Sequence, residues 1–430
     1  MPDDLYLRRD RSALSSGVVF RGGRRRRRFP WLAALAVVVV AGAALVFWQF
    51  NTVQTAVLAV VGIVTTPTPT VLESARQGDL AFWRGDLNAS VDYYRQAVAL
   101  APENLDITYE LIRMLIYRSY ADERNAPDID AAVELAEGLL DAYPDHPRAL
   151  AIHCFALTRA RRAEVGAQSC NRAISLDPNN ADAYAYLALA YYDLGRLDSA
   201  AEAGLEALAR NPSSIEANTA YGFVQVSLRR ADPAIQYFIR AAQINPRLEY
   251  PYFNMGGVAL GLGLNRNDPS LYQLAVSAYD TILAMNSRNV KAYSSLCQVY
   301  LATGERNLAR DNCLTATELD ETYTRAWRWL GEVYYRNMEY EAAIAAFDRC
   351  MQQEAFLPAG QRQPECWYYH GLAYVQTGNC PRALPIFTDV LGWTQSTRAI
   401  ELVNQGVRIC TGGRGFIPTA TPVGGASGGN

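Results

Sequence analysis

Residues 324–351 read TRAWRWLGEVYYRNMEYEAAIAAFDRCM. Trp327, Leu330, Gly331 and Tyr334 recur at three- and four-residue intervals, the spacing of one helical face. Ala343 and Phe347 set the same rhythm in a second run, giving W-x2-L-G-x2-Y followed by A-x3-F. Small residues such as Gly331 and Ala343 let two antiparallel helices approach closely. Large ones, Trp327, Tyr334 and Phe347, fill the space between one hairpin and the next. A single hairpin of this kind cannot bury its own apolar face, so it needs neighbours of the same design.

The neighbours are there. The next unit carries Trp367, His370, Gly371, Tyr374, Gly378, Ala383 and Phe387. The unit from 181 carries Tyr184, Leu187, Ala188, Tyr191, Gly195 and Ala200, and closes on Pro212. Units from 215 and 290 keep Tyr221, Gly222, Ala234, Phe238 and Tyr293, Leu296, Tyr300, Gly304 in the same phase. Weaker copies occupy 71–104 and 147–180, and insertions fall near Tyr120–Asp130 and near Gly263–Leu271. The period is 34 residues, and nine units run from 71 to about 392. This body resembles the tetratricopeptide repeat family over roughly three quarters of the chain. The resemblance implies an all-α, right-handed superhelical solenoid over residues 71–410. About nine helix hairpins are expected, closed by a cap helix from about Ser396 to Cys410. Nothing in 71–410 alternates with period two, so no sheet is expected.

The chain of 430 residues has a net charge of -3 that is unevenly spread. Residues 1–30 hold nine Arg and three Asp, or +6; residues 31–64 hold no charge, which leaves -9 for the rest. An acidic body argues against nucleic acid as a partner. Arg24 to Arg28 precede an apolar stretch, 31–50, with Trp31 and Trp48 near its ends. That length and those flanks fit one transmembrane helix, with 1–30 as a basic cytosolic head and the remainder outside. A cleaved signal peptide and a twin-arginine export signal are weaker readings of the same segment. Residues 51–70 are an apolar extension, too short at Val53 to Val64 to re-cross, and a Thr/Pro linker. Residues 411–430 are expected to be a disordered Gly/Pro/Thr tail. One Lys against 39 Arg points to a GC-rich, bacterial genome.

Eight cysteines admit 105 pairings, and the repeat phase narrows them. Cys154 with Cys170, and Cys297 with Cys313, each join helices A and B of one hairpin, sixteen residues apart. Cys350 and Cys366 join successive units, and Cys380 and Cys410 join the last helix B to the cap. Four disulfides would require an oxidising compartment, which agrees with the topology read from the arginines. The alternative is eight buried small residues. No C-x2-C spacing suggests a metal.

No constellation for catalysis stands out. The three His are His146 in a turn, and His153 and His370 at positions where Leu normally packs. Gly256-Gly257 and Gly261-x-Gly263 follow no strand and are placed in a helix A and the inserted loop after it. The protein is expected to be no enzyme, with no cofactor and no catalytic or metal site. The family resemblance implies instead a groove lined by helix A. Its lining positions here are Tyr192, Phe223, Tyr250 and Phe253, then Lys291, Arg325, Arg328, Glu332, Tyr335 and Tyr368. An aromatic stretch followed by a basic one suits a peptide with apolar and acidic parts. The carboxylate clamp of the chaperone-binding relatives is missing from the ninth positions, among them Arg113, Phe223, Gln298 and Glu332.

These features read together as a membrane-tethered, extracytoplasmic scaffold or adaptor that docks a protein or peptide at the cell envelope. A glycan- or peptidoglycan-binding solenoid, whose groove aromatics stack on sugars, is the first alternative. An accessory subunit of an envelope enzyme or secretion complex is the second.

Overall fold

The computed structural model describes residues 70–121 and 125–412. The head, the apolar stretch 31–50, residues 51–69 and the tail beyond 412 lie outside the described residues. Helices pair into successive hairpins. The first four are α1 (Val71–Arg84) with α2 (Leu87–Leu100), α3 (Leu105–Ala121) with α4 (Pro127–Ala142), α5 (Pro147–Arg159) with α6 (Ala163–Leu176), and α7 (Ala181–Asp193) with α8 (Leu197–Arg210). Next come α9 (Ile215–Ser227) with α10 (Ala231–Ile244), α11 (Glu249–Arg266) with α12 (Pro269–Met285), and α13 (Val290–Thr303) with α14 (Arg306–Leu319). The last are α15 (Thr324–Arg336) with α16 (Tyr340–Glu354) and α17 (Pro364–Gln376) with α18 (Cys380–Leu391), and α19 (Thr397–Thr411) covers the end. Among the described residues there is no strand.

Side-chain caps start several of the helices. Thr70 Oγ1 accepts from the Glu73 N–H at 3.2 Å, and Asn180 and Asn289 cap α7 and α13 through Ala183 and Ala292. Small residues then set the spacing inside the stack. Ala173, Ala207 and Ala241, each 34 residues from the next, are fully buried on α6, α8 and α10. A Cβ at Gly331 would come within 2.6 Å of the Phe347 ring, so the α15–α16 contact accepts no larger residue without rearrangement.

The insertion after Gly256-Gly257 departs from the sequence reading. It is helical: α11 has 18 residues and α12 has 17, joined by a two-residue link. Gly261 and Gly263 are helical residues, and Gly263 faces the ring of Tyr272 on α12. Glycine there serves close packing of a lengthened hairpin, not a loop. A further insertion, between α16 and α17, holds a 3-10 turn at Ala359–Gln361 and leaves Phe356 92% exposed.

The four cysteine pairs lie where the repeat phase puts them. Cα separations are 5.4 Å for Cys154–Cys170, 5.3 Å for Cys297–Cys313, 5.8 Å for Cys350–Cys366 and 5.4 Å for Cys380–Cys410, with the sulfurs at bonding distance in each. Each bridge ties two helices that already pack together.

Candidate functional site

The faces of the odd-numbered helices form the inner surface of the stack, and its two halves differ. In the first half the surface is filled by the chain itself. Tyr109, Tyr117 and Tyr186 are fully buried there. Tyr109 donates to Asp182 at 2.6 Å, and its hydroxyl lies 3.2 Å from that of Tyr186. Arg113, on α3, donates Nε and Nη2 to Glu216 Oε1 of α9 at 3.0 and 2.8 Å, and Nη1 to Glu110 at 2.6 Å. Tyr117 gives a third hydrogen bond to the same Glu216 oxygen, at 2.5 Å. Phe155 and Tyr186 stack with centroids 4.3 Å apart.

The electrostatics of this cluster follow from burial and pairing. Burial pushes the Glu216 carboxyl up, but Arg113 and the Tyr117 hydroxyl outweigh it and hold the group below its ordinary range. At Asp182 burial, and then the charge of Glu216, outweigh the Tyr109 hydrogen bond and the pull of Arg113 and Arg148 and raise it. Burial also raises Glu110 against the pull of Arg113.

The expected groove residues Tyr250 and Phe253 sit in this filled region, each 6% exposed. Tyr250 packs on Tyr117 and, edge-on at 4.5 Å, on Tyr120, so α11 closes against α3 across the inner face. Lys291 donates to the Tyr120 carbonyl at 2.6 Å and lies over the rings of Tyr120 and Phe253. These rings are therefore turned to the protein's own chain and offer no face to a sugar. Tyr192 and Phe223 are half-buried and meet each other with centroids 5.5 Å apart.

In the second half, Glu332 is 5% exposed and takes hydrogen bonds from Arg336 at 2.5 Å and from Tyr369 at 3.3 Å. Tyr368 is buried, and Tyr335, Tyr368 and Tyr369 form one ring cluster. Of the expected lining, Arg325 and Arg328 come together at an opening of about 470 Å³. Gln298, Trp329, Glu354 and Gln363 complete its wall. Arg325 is exposed, whereas the Arg328 side chain is only 14% exposed and its guanidinium lies 3.7 Å from the Trp329 ring centroid. Its Nη1 is 3.7 Å from Glu365, and its Nε is buried without an acceptor. Burial lowers the Arg328 pKa, chiefly against the pull of Glu365. A buried donor left unpaired in this way costs about 1–3 kcal/mol.

Glu354 is held by Gln363, through N and Nε2, both at 2.5 Å. Its carboxylate and the sulfurs of Cys350 and Cys366 lie within 4.8 Å of one another. With the sulfurs joined, only the carboxylate remains as a donor for an ion. His153 meets Ser169 Oγ at 2.9 Å and His370 meets the Met351 sulfur at 3.0 Å, both in buried surroundings that lower their pKa. Sequence reasoning did not anticipate the Arg113–Glu216 bond. The wall supplied by Gln363 belongs to the insertion after α16, which breaks the repeat.

The comparisons with known proteins agree with this architecture. Residues 169–202 and residues 296–351 each match a tetratricopeptide repeat model. Tetratricopeptide repeat protein 21A of Mus musculus is 27% identical over 82 residues, which are 19% of this chain and 6% of that protein. The chain thus spans a small fraction of the length of the curated relative it matches. Among solved structures, the APC/C hetero-tetramer Cut9-Hcn1 shares a TM-score of 0.54 at 16% identity, over 75% of this chain and 59% of that one. A tetratricopeptide repeat protein from Parabacteroides merdae gives a TM-score of 0.47 at 13% identity, over 62% of this chain and 98% of that one. At such identity the Cut9-Hcn1 likeness shows a shared fold and nothing finer. Residues 169–202 and 296–351 thus match the tetratricopeptide repeat, and the described residues form an all-α helical solenoid that shares the fold of the Cut9-Hcn1 structure.

Proposed function

We propose that this protein is a non-enzymatic scaffold that docks a protein or peptide partner on the inner surface of α13, α15 and α17, at the Arg325–Arg328 opening. Tetratricopeptide repeats act as protein-interaction scaffolds and are generally not enzymes, which supports this class. The single observation that carries the reading is the buried Nε of Arg328, which has no acceptor and borders an opening large enough for a side chain and its flanking backbone. The ligand chemistry that fits is an acidic or carbonyl acceptor next to an aromatic or aliphatic group that packs on Trp329.

The same proposal places the body outside a membrane, tethered by residues 31–50. Among the described residues no helix is long and apolar enough to cross a membrane. Support for the tether comes from the Arg24 to Arg28 run followed by an uncharged apolar stretch. Support for the compartment comes from four cysteine pairs at bonding distance with no cysteine left over.

The docking reading is tested by panning the immobilised full chain, in detergent, against a random displayed-peptide library. Enrichment of Asp- or Glu-containing sequences with a neighbouring aromatic, lost in Arg328→Ala and retained in Arg306→Ala, is the expected result. Equal enrichment on the Arg328→Ala protein would reject the site.

A further inference from the structure

A second cavity, of about 770 Å³, opens on a different part of the molecule, where the first hairpin meets the sixth and seventh. Its walls are the α1–α2 turn, the end of α3, the α10–α11 loop and the α12–α13 turn. The meeting is close. Gly85 has a left-handed φ of 82°, and a Cβ there would collide with the carbonyl of Arg247. Asn245 donates to the Phe82 carbonyl at 3.2 Å across the same junction. Residues distant in sequence are thereby held side by side.

Among the described residues, five cationic side chains line this cavity, Arg84, Arg118, Arg247, Arg288 and Lys291, against two carboxylates, Asp86 and Glu249. The carboxylates are already engaged: Asp86 caps the Ala89 N–H at 2.9 Å, and Glu249 accepts from Asn289 at 2.8 Å. Arg118 is likewise spent, bound by two hydrogen bonds of 2.7 Å to Asp128. Arg84, Arg247 and Arg288 are different. All three are exposed, and none forms an ion pair among the described residues. Such a concentration of positive charge stands out on a body whose overall charge is -9, and a cleft of one sign focuses the field on an incoming ligand.

We propose that this junction binds an acidic peptide segment of a partner protein. The net negative body disfavours a long polyanion such as nucleic acid, whose flanking phosphates would be repelled. A short run of carboxylates meets only the cleft. The other wall residues include several asparagines, whose amides match peptide backbone groups. Residues 413–430 contain no Asp or Glu and do not supply the ligand. The surface is separate from the Arg325–Arg328 opening, so it stands or falls independently of the function proposed above.

The test uses the full-length chain in detergent and a fluorescein-labelled hexaglutamate peptide, followed by anisotropy at low and moderate salt. Saturable binding is expected, weakened by ~tenfold or more in the triple variant Arg84→Ala, Arg247→Ala, Arg288→Ala. The corresponding triple Lys variant should bind within ~threefold of the wild type, since it keeps the charge. The surface control Arg306→Ala, Arg310→Ala should leave binding unchanged. Unaltered melting of the triple Ala variant separates loss of binding from loss of fold. The assignment is overturned if the triple Ala variant binds normally or if the surface control loses as much. It is overturned in favour of a phosphate site if inorganic triphosphate binds more tightly than the peptide and displaces it.

Discussion

At Glu216 burial and pairing pull in opposite directions, and pairing wins; at Asp182, one helix away, burial wins. The two carboxylates therefore impose opposite pH dependences on stability. Glu216 titrates below its usual value of 4.5 in the folded chain, so its contribution is complete above 4.5 and is lost as pH falls through the folded value. Glu216→Gln should cost about 3 kcal/mol at pH 7, because it leaves the Arg113 charge poorly compensated, and less below pH 4.5. Asp182 titrates above 3.8 in the folded chain, so protonation favours folding and the ionised form carries the penalty. Asp182→Asn should accordingly improve relative to the wild type as pH rises from 4 to 7. Thermal melts of both variants across that range check the signs. Parallel trends for the two would mean that Arg113 does not discriminate between them. Neither effect could be read from the sequence. Arg113, Asp182 and Glu216 lie on three different helices, and a 34-residue periodicity says which side of a helix a residue occupies but not which partner it finds across the inner face.

The helix hairpin is the scale at which the sequence was most informative. Its pairing rests on short-range spacing: buried Ala173, Ala207 and Ala241 mark the same place in three successive second helices, and the cysteines sixteen apart fall on facing helices of a hairpin. The insertions were less legible. A helix can be lengthened without breaking its apolar period, so glycines at 261 and 263 looked like loop residues, although both are helical and Gly263 packs against the Tyr272 ring of α12. The cysteine pairs allow a prediction for single elements. Closing a sixteen-residue separation is worth about 3 kcal/mol in the loop-entropy picture. Replacing Cys297 and Cys313 together by Ala should lower stability by about that amount, and in a repeat stack the loosening should stay local. Amide hydrogen exchange of the oxidised protein should therefore speed up in α13, α14 and the helices beside them, with α5 and α6 unchanged. Exchange that is identical with and without the pair would show that these two sulfurs contribute no bond to the stack.

Over the whole molecule, two expectations concern how the chain is placed and how far it is coupled. If the body lies outside the membrane, a membrane-impermeant maleimide applied to intact cells should label no cysteine before reduction and, after an impermeant reductant, Cys380 and Cys410, the pair that is only half-buried. Labelling only with a permeant reagent, without reduction, would put the body on the other side. Coupling is the more demanding question. A repeat stack passes stability only between neighbours, but this one also joins α3 to α11 through Tyr117, Tyr120 and Tyr250, and α1 to the α10–α11 loop through Asn245. Sequence position gave no sign of it, since the curvature that brings the second hairpin to the sixth accumulates from small rotations spread over the units between them. Tyr250 is 6% exposed, and its loss should cost about 3–5 kcal/mol, the range for removing a large buried aromatic. The diagnostic is where that cost appears. If the contact is structural, Tyr250→Ala should accelerate hydrogen exchange in α3 as well as in α11, while α5 and α6, which lie between them in the chain, change less. Acceleration confined to α11 and the helices adjacent to it in sequence would reduce the protein to a nearest-neighbour stack. The junction cavity would then owe its geometry to the Asn245–Phe82 and Lys291–Tyr120 hydrogen bonds and not to Tyr250.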